Sequence, residues 1–394
     1  MPALATPHGP LALPAFLPDA TRGVVRTVDA AELRAVGIDA LCVNTWHLTK
    51  EPGARAVEML GGIHRFMGWD GPVLSDSGGF QILSLLASNA LDGSASNKGI
   101  RWRAKGGESE LLTPEKCIRW QAKLGADLLV CLDHCTRPEE DALSQRASVE
   151  HTVRWAEECK ATRDRVAEES GVRRPLLAVI QGGDDPALRR ECAARLFEQG
   201  FDGYAFGGWP VREDGALVES VALVAELVRE SAPAAPLWGL GIGKPENLVA
   251  AAEQGFSLFD CVLPTRDGRH GRLYVRRGRH SATLLPGEAR WWDHVYLGDT
   301  KHAVDAAPIE PGCPCPTCQR HSLGYLHHLW QVKEPLVARL ATLHNLSFYG
   351  RLMRELQQAH AVASGAASVA TADAASREAA GEARGAASGR PLTT

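Results

Sequence analysis

Eight short apolar runs, each bounded by Gly, Pro or Asp, recur along the chain and are separated by stretches with helical periodicity. The runs are Val24 to Val28, Asp39 to Asn44, Pro72 to Asp76, Asp127 to Asp133, Leu176 to Gln181, Gly203 to Gly208, Leu237 to Gly243 and Leu258 to Leu263. Helical periodicity spans Asp29 to Val36, Leu143 to Val166, Pro186 to Gln199 and Leu217 to Arg229, and Thr113-Pro114-Glu115 reads as a helix start. Strand and helix alternating eight times predict an α/β fold, a (β/α)8 TIM barrel. A doubly wound open sheet needs a Gly-rich phosphate loop after its first strand, and Val24 to Val28 leads instead into Asp29-Ala30-Ala31-Glu32.

At 394 residues and 45% hydrophobic content, the chain can bury one large core with an appended element. The expected division is a barrel domain over 1–360, which includes a C-terminal zinc-binding subdomain at about 267–346. An Ala/Ser/Gly-rich tail over 361–394 has no aromatic residue and is expected to be disordered. A shorter polar insertion runs from Ser84 to Leu112. The formal charge of −4 excludes a globally basic nucleic-acid binder, so an anionic partner has to be met locally. Met1 to Pro14 lacks a basic segment followed by an apolar one, and nowhere do about 18 uncharged apolar residues run together. A soluble, cytoplasmic protein without a membrane partner is expected. Cys42, Cys131 and Cys261 lie inside strand-like runs and three other cysteines crowd into Cys313 to Cys318, which fits buried thiols and a metal site better than disulfides.

Barrel chemistry collects where strands end at the C-terminal face. Polar residues at the expected ends are Asp76, Asp133, Gln181, Gly207-Gly208, Gly241, Gly243 and Asp260. A lone acid at such a place is as readily a helix cap. Acids at three separate strand ends point to a shared mouth, and two carboxylates delivered there can do glycosidic chemistry. Glycines let a flat ligand approach the backbone, and the Gln181 amide suits two-way hydrogen bonding to a heterocycle.

Cys313, Cys315 and Cys318 supply three closely spaced thiolates, and a histidine would complete a closed structural-zinc set, so one structural Zn2+ per chain is expected. His344 is a candidate fourth ligand, with His321, His327 and His328 nearer in sequence. Directly after the eighth run come Arg266, Arg269, Arg272, Arg276, Arg277 and Arg279 against one acid, Asp267. Such a charge run is ordinarily a solvated face; beside a catalytic mouth it suits phosphate contacts.

Taken together, these residues resemble the tRNA-guanine transglycosylase (queuine tRNA-ribosyltransferase) family, bacterial type, from about Pro14 to about Leu356. The motifs are Asn44-Thr45-Trp46-His47-Leu48, Phe66-Met67-Gly68-Trp69-Asp70-Gly71-Pro72, Asp76-Ser77-Gly78-Gly79-Phe80-Gln81, Gly203-Tyr204-Ala205-Phe206-Gly207-Gly208, Gly241-Ile242-Gly243-Lys244-Pro245 and Phe259 to Arg266. The family pattern singles out His344 as the fourth metal ligand. The resemblance implies exchange of guanine for a 7-deazaguanine, preQ1 first among them, at the wobble position of tRNAs with a GUN-type anticodon, in queuosine biosynthesis. It implies Asp260 as the nucleophile on C1′ of the ribose and Asp76 as the acid/base. Base contacts are expected from Ser77, Gly78, Phe80, Asp133, Gln181, Gly207, Gly208, Trp209 and Leu240, and tRNA contacts from Arg266, Arg269, Arg272, Arg276 and Arg277. Relatives are homodimers, and Phe66 to Trp69 with Tyr325 to Trp330 could supply an aromatic interface or ordinary core.

This chain departs from the pattern at the base pocket. Trp209-Pro210 stands where relatives usually carry Leu-Ala or Leu-Ser, Val211 where queuine users often have Gly, and His134 where relatives commonly place an acid. Pro210 has no N–H, so this turn offers the substituent on the base an acceptor, the Trp209 carbonyl. Competing expectations are a direct queuine-inserting enzyme, an archaeosine-type transglycosylase, a non-catalytic partner subunit and a sugar hydrolase. Both acids, Asp76 and Asp260, speak against the partner subunit, and the cysteine set and arginine run against the hydrolase.

Overall fold

The computed structural model describes the backbone of residues 3–277 and 291–387, with side chains as far as Val362. Its eight parallel wall strands are β1 Ala15–Pro18, β2 Leu41–Val43, β3 Val73–Ser75, β4 Leu129–Val130, β5 Leu176–Ile180, β6 Gly203–Phe206, β7 Leu237–Gly239 and β8 Leu258–Cys261. Six form one sheet in the order β1-β8-β7-β6-β5-β4, and β2 pairs with β3. Single parallel bridges, Asp19 to Cys42 and Leu74 to Leu128, join the two pieces into a ring. The barrel is filled by alternate residues of each strand: Leu17, Cys42, Leu74, Val130, Val179, Ala205, Trp238 and Leu258 are all buried in one cluster.

Seven of the expected strands fall where the apolar runs placed them, and the first does not. Val24 to Val28 is a turn segment, whose Val25 and Val28 are buried in an outer cluster with Leu33 and Val36 of the following helix. The true β1 precedes it and is only four residues long. The helix starts follow their caps: Asp29, Thr113, Asp141 and Asp185 each accept a hydrogen bond from the first turn of the helix they begin.

An antiparallel pair, Ala3–Leu4 with Leu11–Ala12, closes the N-terminal end, where Leu11 and Leu13 extend the barrel's interior cluster. His8 and His64, stacked at 3.5 Å, both face the Asp127 carboxylate at 2.7 and 2.9 Å. His64 Nε2 also lies 3.0 Å from the Gly71 carbonyl, so this nitrogen carries the proton, and the cluster is a hydrogen-bonded plug in place of a metal site.

The insertion after β3 is a three-stranded antiparallel sheet, Asp92–Ser96, Gly99–Arg103 and Ser109–Leu112, with Trp102 buried edge-on against Trp46. The second insertion holds a hairpin, Arg272–Arg276 with Trp292–Tyr296, and helices Pro316–Arg320 and Leu323–Gln331. The long last helix, Leu336–Ala387, then returns to the barrel, where Phe348, Tyr349, Leu352 and Met353 join the outer cluster and the Tyr349 ring lies 4.6 Å from Phe16. Its backbone runs on through most of the segment expected to be disordered, whose side chains beyond Val362 fall outside the described residues. Ala is the best helix former, so a composition too poor for a core still favours helical backbone. Arg279 lies outside the described residues.

Candidate active site

Strand alternation carries a common set of side chains to the C-terminal mouth, which encloses a cavity of about 470 Å³ lined by Asp76, Asp133, Gly208, Trp209, Leu240 and Asp260, among others. Burial raises all three carboxyls, Asp76 to about 7, Asp133 to about 6 and Asp260 to about 6.

Asp76 is held by donors from three directions. Its Oδ1 accepts from the backbone N–H groups of Thr45 at 2.9 Å and Gly78 at 3.1 Å, and its Oδ2 from the amides of Asn44 at 2.6 Å and Gln81 at 3.1 Å. The Asn44 motif is thereby explained: its Oδ1 caps the helix Thr45–Lys50 through His47 N, and its amide fixes the acid. Gly78, at φ +73°, turns its N–H toward that carboxylate, and a Cβ there would meet the Trp46 backbone at 3.0 Å. These donors favour the ionised form, and burial outweighs them. The charge of Asp260 raises Asp76 further, which places the two acids within electrostatic reach across the cavity.

Asp260 leaves β8 beneath two donors, Trp238 Nε1 at 2.9 Å and Gly241 N at 3.1 Å, both on Oδ1. Gly241 and Trp238 therefore aim the acid, and neither hydrogen bond occupies Oδ2. Gln181 donates to Asp133 at 2.7 Å, and Gly207 is glycine because a Cβ would lie 2.6 Å from the Gln181 amide. Ser77 also hydrogen-bonds Asp133. Phe80 is 41% exposed and meets Trp209, 43% exposed, edge-on at 5.6 Å, so the two form an aromatic lip over the cavity. His134 has no hold on Asp133; it turns toward His151, Nδ1 to Nδ1 at 3.1 Å, and burial lowers it to about 4.

The five arginines separate. Arg266 is exposed and Arg269 half-buried on the short helix Leu263–Arg269 after β8. Arg272 faces Asp267 at 3.9 Å and Arg277 pairs with Asp293. Arg276 pairs with Glu355 at 2.7 Å under the rings of Trp291 and Phe348 and belongs to the packing of the insertion. Arg22 and Arg26, from the loop after β1, bring further charge to the mouth, since Arg26 and Arg266 both depress Arg269, after burial, and Arg22 depresses His47. Neither they nor Asp19 in the cavity wall stand out in the sequence, because β1 lies one segment earlier than the first apolar run suggests. In the two aromatic runs, Trp69, Leu326 and Leu329 are core, while Phe66 and Tyr325 are exposed.

Away from the mouth, Cys313, Cys315, Cys318 and His344 are buried with all ligand atoms within 4.8 Å of one another. His344 Nδ1 lies 3.8, 3.7 and 3.3 Å from the three sulfurs, and its Nε2–H donates to the Tyr274 carbonyl at 2.7 Å. That bond leaves the Nδ1 lone pair directed at the thiols, and four soft or borderline donors so gathered can hold one metal ion. The nearer histidines lie outside the cluster: His327 faces the Leu297 carbonyl at 2.7 Å, His321 stacks on Tyr325, and His328 is exposed.

Fold and site together define a (β/α)8 enzyme with several acids in the wall of its C-terminal mouth and, after the last strand, a buried Cys3His cluster able to hold a metal ion. A family model described as TGT, queuine tRNA-ribosyltransferase, matches residues 2–369, and the chain belongs to that family. It is 38% identical to a protein named queuine tRNA-ribosyltransferase of Nitrosospira multiformis over 361 residues, 90% of each chain. It is 37% identical to one of the same name from Nitrosomonas eutropha (90% of this chain, 91% of the relative). A third, from Novosphingobium aromaticivorans, is 36% identical (94% and 93%).

Proposed function

We infer that this chain exchanges guanine in tRNA, at the wobble position of GUN-type anticodons, for a 7-deazaguanine of the preQ1 kind. The observation that carries the reading is the pairing of Asp76 and Asp260 in one cavity large enough for a purine, with Asp133 also in its wall and held from behind by the buried Gln181 amide. In this chemistry the Asp260 carboxylate attacks C1′ as the C1′–N9 bond breaks, and Asp76 protonates the departing guanine. Asp76 then takes the N9 proton of the incoming base, whose nitrogen displaces Asp260 and restores it. Each cycle returns both acids to their starting state. The base has to leave its stack to enter, and Phe80 and Trp209 offer it an aromatic replacement. Arg22, Arg26, Arg266 and Arg269 suit the flanking phosphates; Arg269 Nη1 has no hydrogen-bond partner among the described residues. Release of labelled guanine from tRNA, followed with preQ1, preQ0 and queuine in parallel, tests the reading, and no release with any of them would refute it.

The attack step needs Asp260 ionised and Asp76 protonated. With these acids at about 6 and about 7, the single-turnover cleavage rate is expected to peak between pH 6 and 7, falling below as Asp260 protonates and above as Asp76 ionises. A rate that climbs steadily to pH 9 would contradict this assignment.

Base choice follows from Pro210. A turn that presents only the Trp209 carbonyl accepts from an aminomethyl group and gives a nitrile nothing, so the aminomethyl base should win by roughly 10-fold or more. Equal or faster incorporation of the nitrile base would overturn that choice. Trp209 and Val211 stand between the cavity and an outer groove, which favours a small substituent over queuine.

The metal is zinc in this reading, structural because its four ligands are all protein groups. In this reading the enzyme works where thiols stay reduced, as the thiolates of Cys313, Cys315 and Cys318 require, and so in the cytoplasm; no helix among the described residues is long and apolar enough to cross a membrane. The working form is a homodimer, for which Val24, Met59, Leu60 and Phe66 are exposed apolar candidates. Light scattering should return twice 42.4 kDa; a single-chain mass at micromolar concentration would exclude it.

A further inference from the structure

Asp19 sits at the end of β1, in the wall of the active-site cavity, and neither the base-exchange chemistry nor the metal site uses it. Leu13, Ala15 and Leu17 point into the barrel interior, so the alternation brings the next residue of that face, Asp19, to the mouth. β1 is the sheet neighbour of β8, with Asp260 paired to Leu17, which sets Asp19 one strand over from Asp260 and two residues nearer the opening. The two are close enough for the Asp19 charge to bear on Asp260.

One Asp19 oxygen, Oδ1, accepts from Thr21 N at 3.0 Å and from the Thr21 hydroxyl. Those bonds shape the exit of β1, and neither of them occupies Oδ2. The hydrogen-bond donors of this corner are already engaged. Asn44 gives its amide to Asp76 and its oxygen to His47, Gly241 N serves Asp260, and Thr21 serves Asp19 itself. Asp19 is thus a carboxylate acceptor standing beside the group that attacks C1′.

Within an RNA chain the 3′ and 5′ oxygens of a nucleotide are esterified, so the sugar keeps a single hydrogen-bond donor, the 2′-hydroxyl on the carbon next to C1′. We propose that Asp19 accepts a hydrogen bond from the 2′-hydroxyl of the nucleotide whose base is exchanged, making it a specificity residue that selects ribose over deoxyribose. The inference rests on the base-exchange reading. Hydrogen bonds to the 2-hydroxyl strengthen as a glycosyl centre becomes oxocarbenium-like, so the contact is worth most during bond breaking.

The test uses the full-length enzyme and an anticodon stem-loop carrying either guanosine or 2′-deoxyguanosine at the exchanged position. Wild type should lose roughly 10- to 100-fold in kcat/KM on the deoxy substrate, the range for a hydrogen bond to a charged group. Asp19→Ala, which removes every polar atom of the side chain, should be slower on the ribose substrate by a similar factor and lose little more on the deoxy one. The deoxy-to-ribose ratio does not depend on the fraction of enzyme folded, and Thr21→Val, which loosens the turn but keeps the carboxylate, should retain the wild-type ratio. Undiminished discrimination by Asp19→Ala, or its loss in Thr21→Val with Asp19 intact, would overturn the assignment alone. A wild type that exchanges no guanine on the ribose substrate would overturn the base-exchange reading and this inference with it.

Discussion

Asp260→Asn is expected to lower guanine exchange by about 10⁴-fold or more, because an amide cannot form the ester to C1′ that the two-step chemistry requires. Folding should survive. The replacement is nearly isosteric, and its oxygen can still accept from Trp238 Nε1 and Gly241 N. The wild-type carboxyl is raised to about 6 by burial, so ionising it above that pH works against the fold, and the neutral variant escapes this. At pH 7.5 the variant should melt at or above the wild-type temperature. Guanine exchange and thermal melting on one preparation separate the two effects: lost activity with unchanged melting is expected. Near-normal exchange would remove Asp260 from the chemistry, and lost activity with collapsed melting would make it a structural residue.

Stripping the metal, or replacing Cys318 with Ser, should cost the second largest effect. Zinc bound by such ligand sets in isolated fingers contributes about 10–16 kcal/mol, comparable with the whole stability of a domain, about 5–15 kcal/mol. His344 and its neighbour Asn345 lie on the last helix, and the Asn345 amide ties that helix to the Pro264 carbonyl at 3.0 Å and the Arg272 carbonyl at 2.9 Å. Tyr349, further along, donates to the Gly243 carbonyl at 2.6 Å. Releasing His344 would therefore loosen the helix that braces the segment directly after Asp260. We expect one zinc per chain by elemental analysis, a melting temperature about 10 °C lower or more once a chelator removes it, and exchange activity lost in step. A stripped chain with unchanged melting and activity would contradict a structural role.

Much of this arrangement is visible in the order of residues. Asp76, Asp133, Gln181 and Asp260 end strands that are buried on both faces, and such strands leave continuous apolar runs. The three cysteines fall within six positions, a spacing few other structures demand. What was not legible came from two physical sources. β1 is four residues long and contains Ala and Pro, so it leaves a weaker signal than the buried turn Val24 to Val28, and with it Asp19, Arg22 and Arg26 were missed. Partner choice was the second. Arg276 looks like one more basic residue in a run, and only the fold brings Glu355, Trp291 and Phe348 around it. His134 likewise stands beside Asp133 in sequence and turns to His151 in space.

The chemistry turns on covalent attachment of the Asp260 carboxylate to the ribose. Incubating the enzyme with an anticodon stem-loop in the absence of any incoming base, denaturing the mixture, and mapping the crosslinked peptide by mass spectrometry tests it directly. An RNA adduct is expected on the peptide containing Phe259-Asp260-Cys261, absent in Asp260→Asn and chased away by adding the 7-deazaguanine base. Guanine exchange that proceeds at full rate with the adduct on a different residue would contradict it.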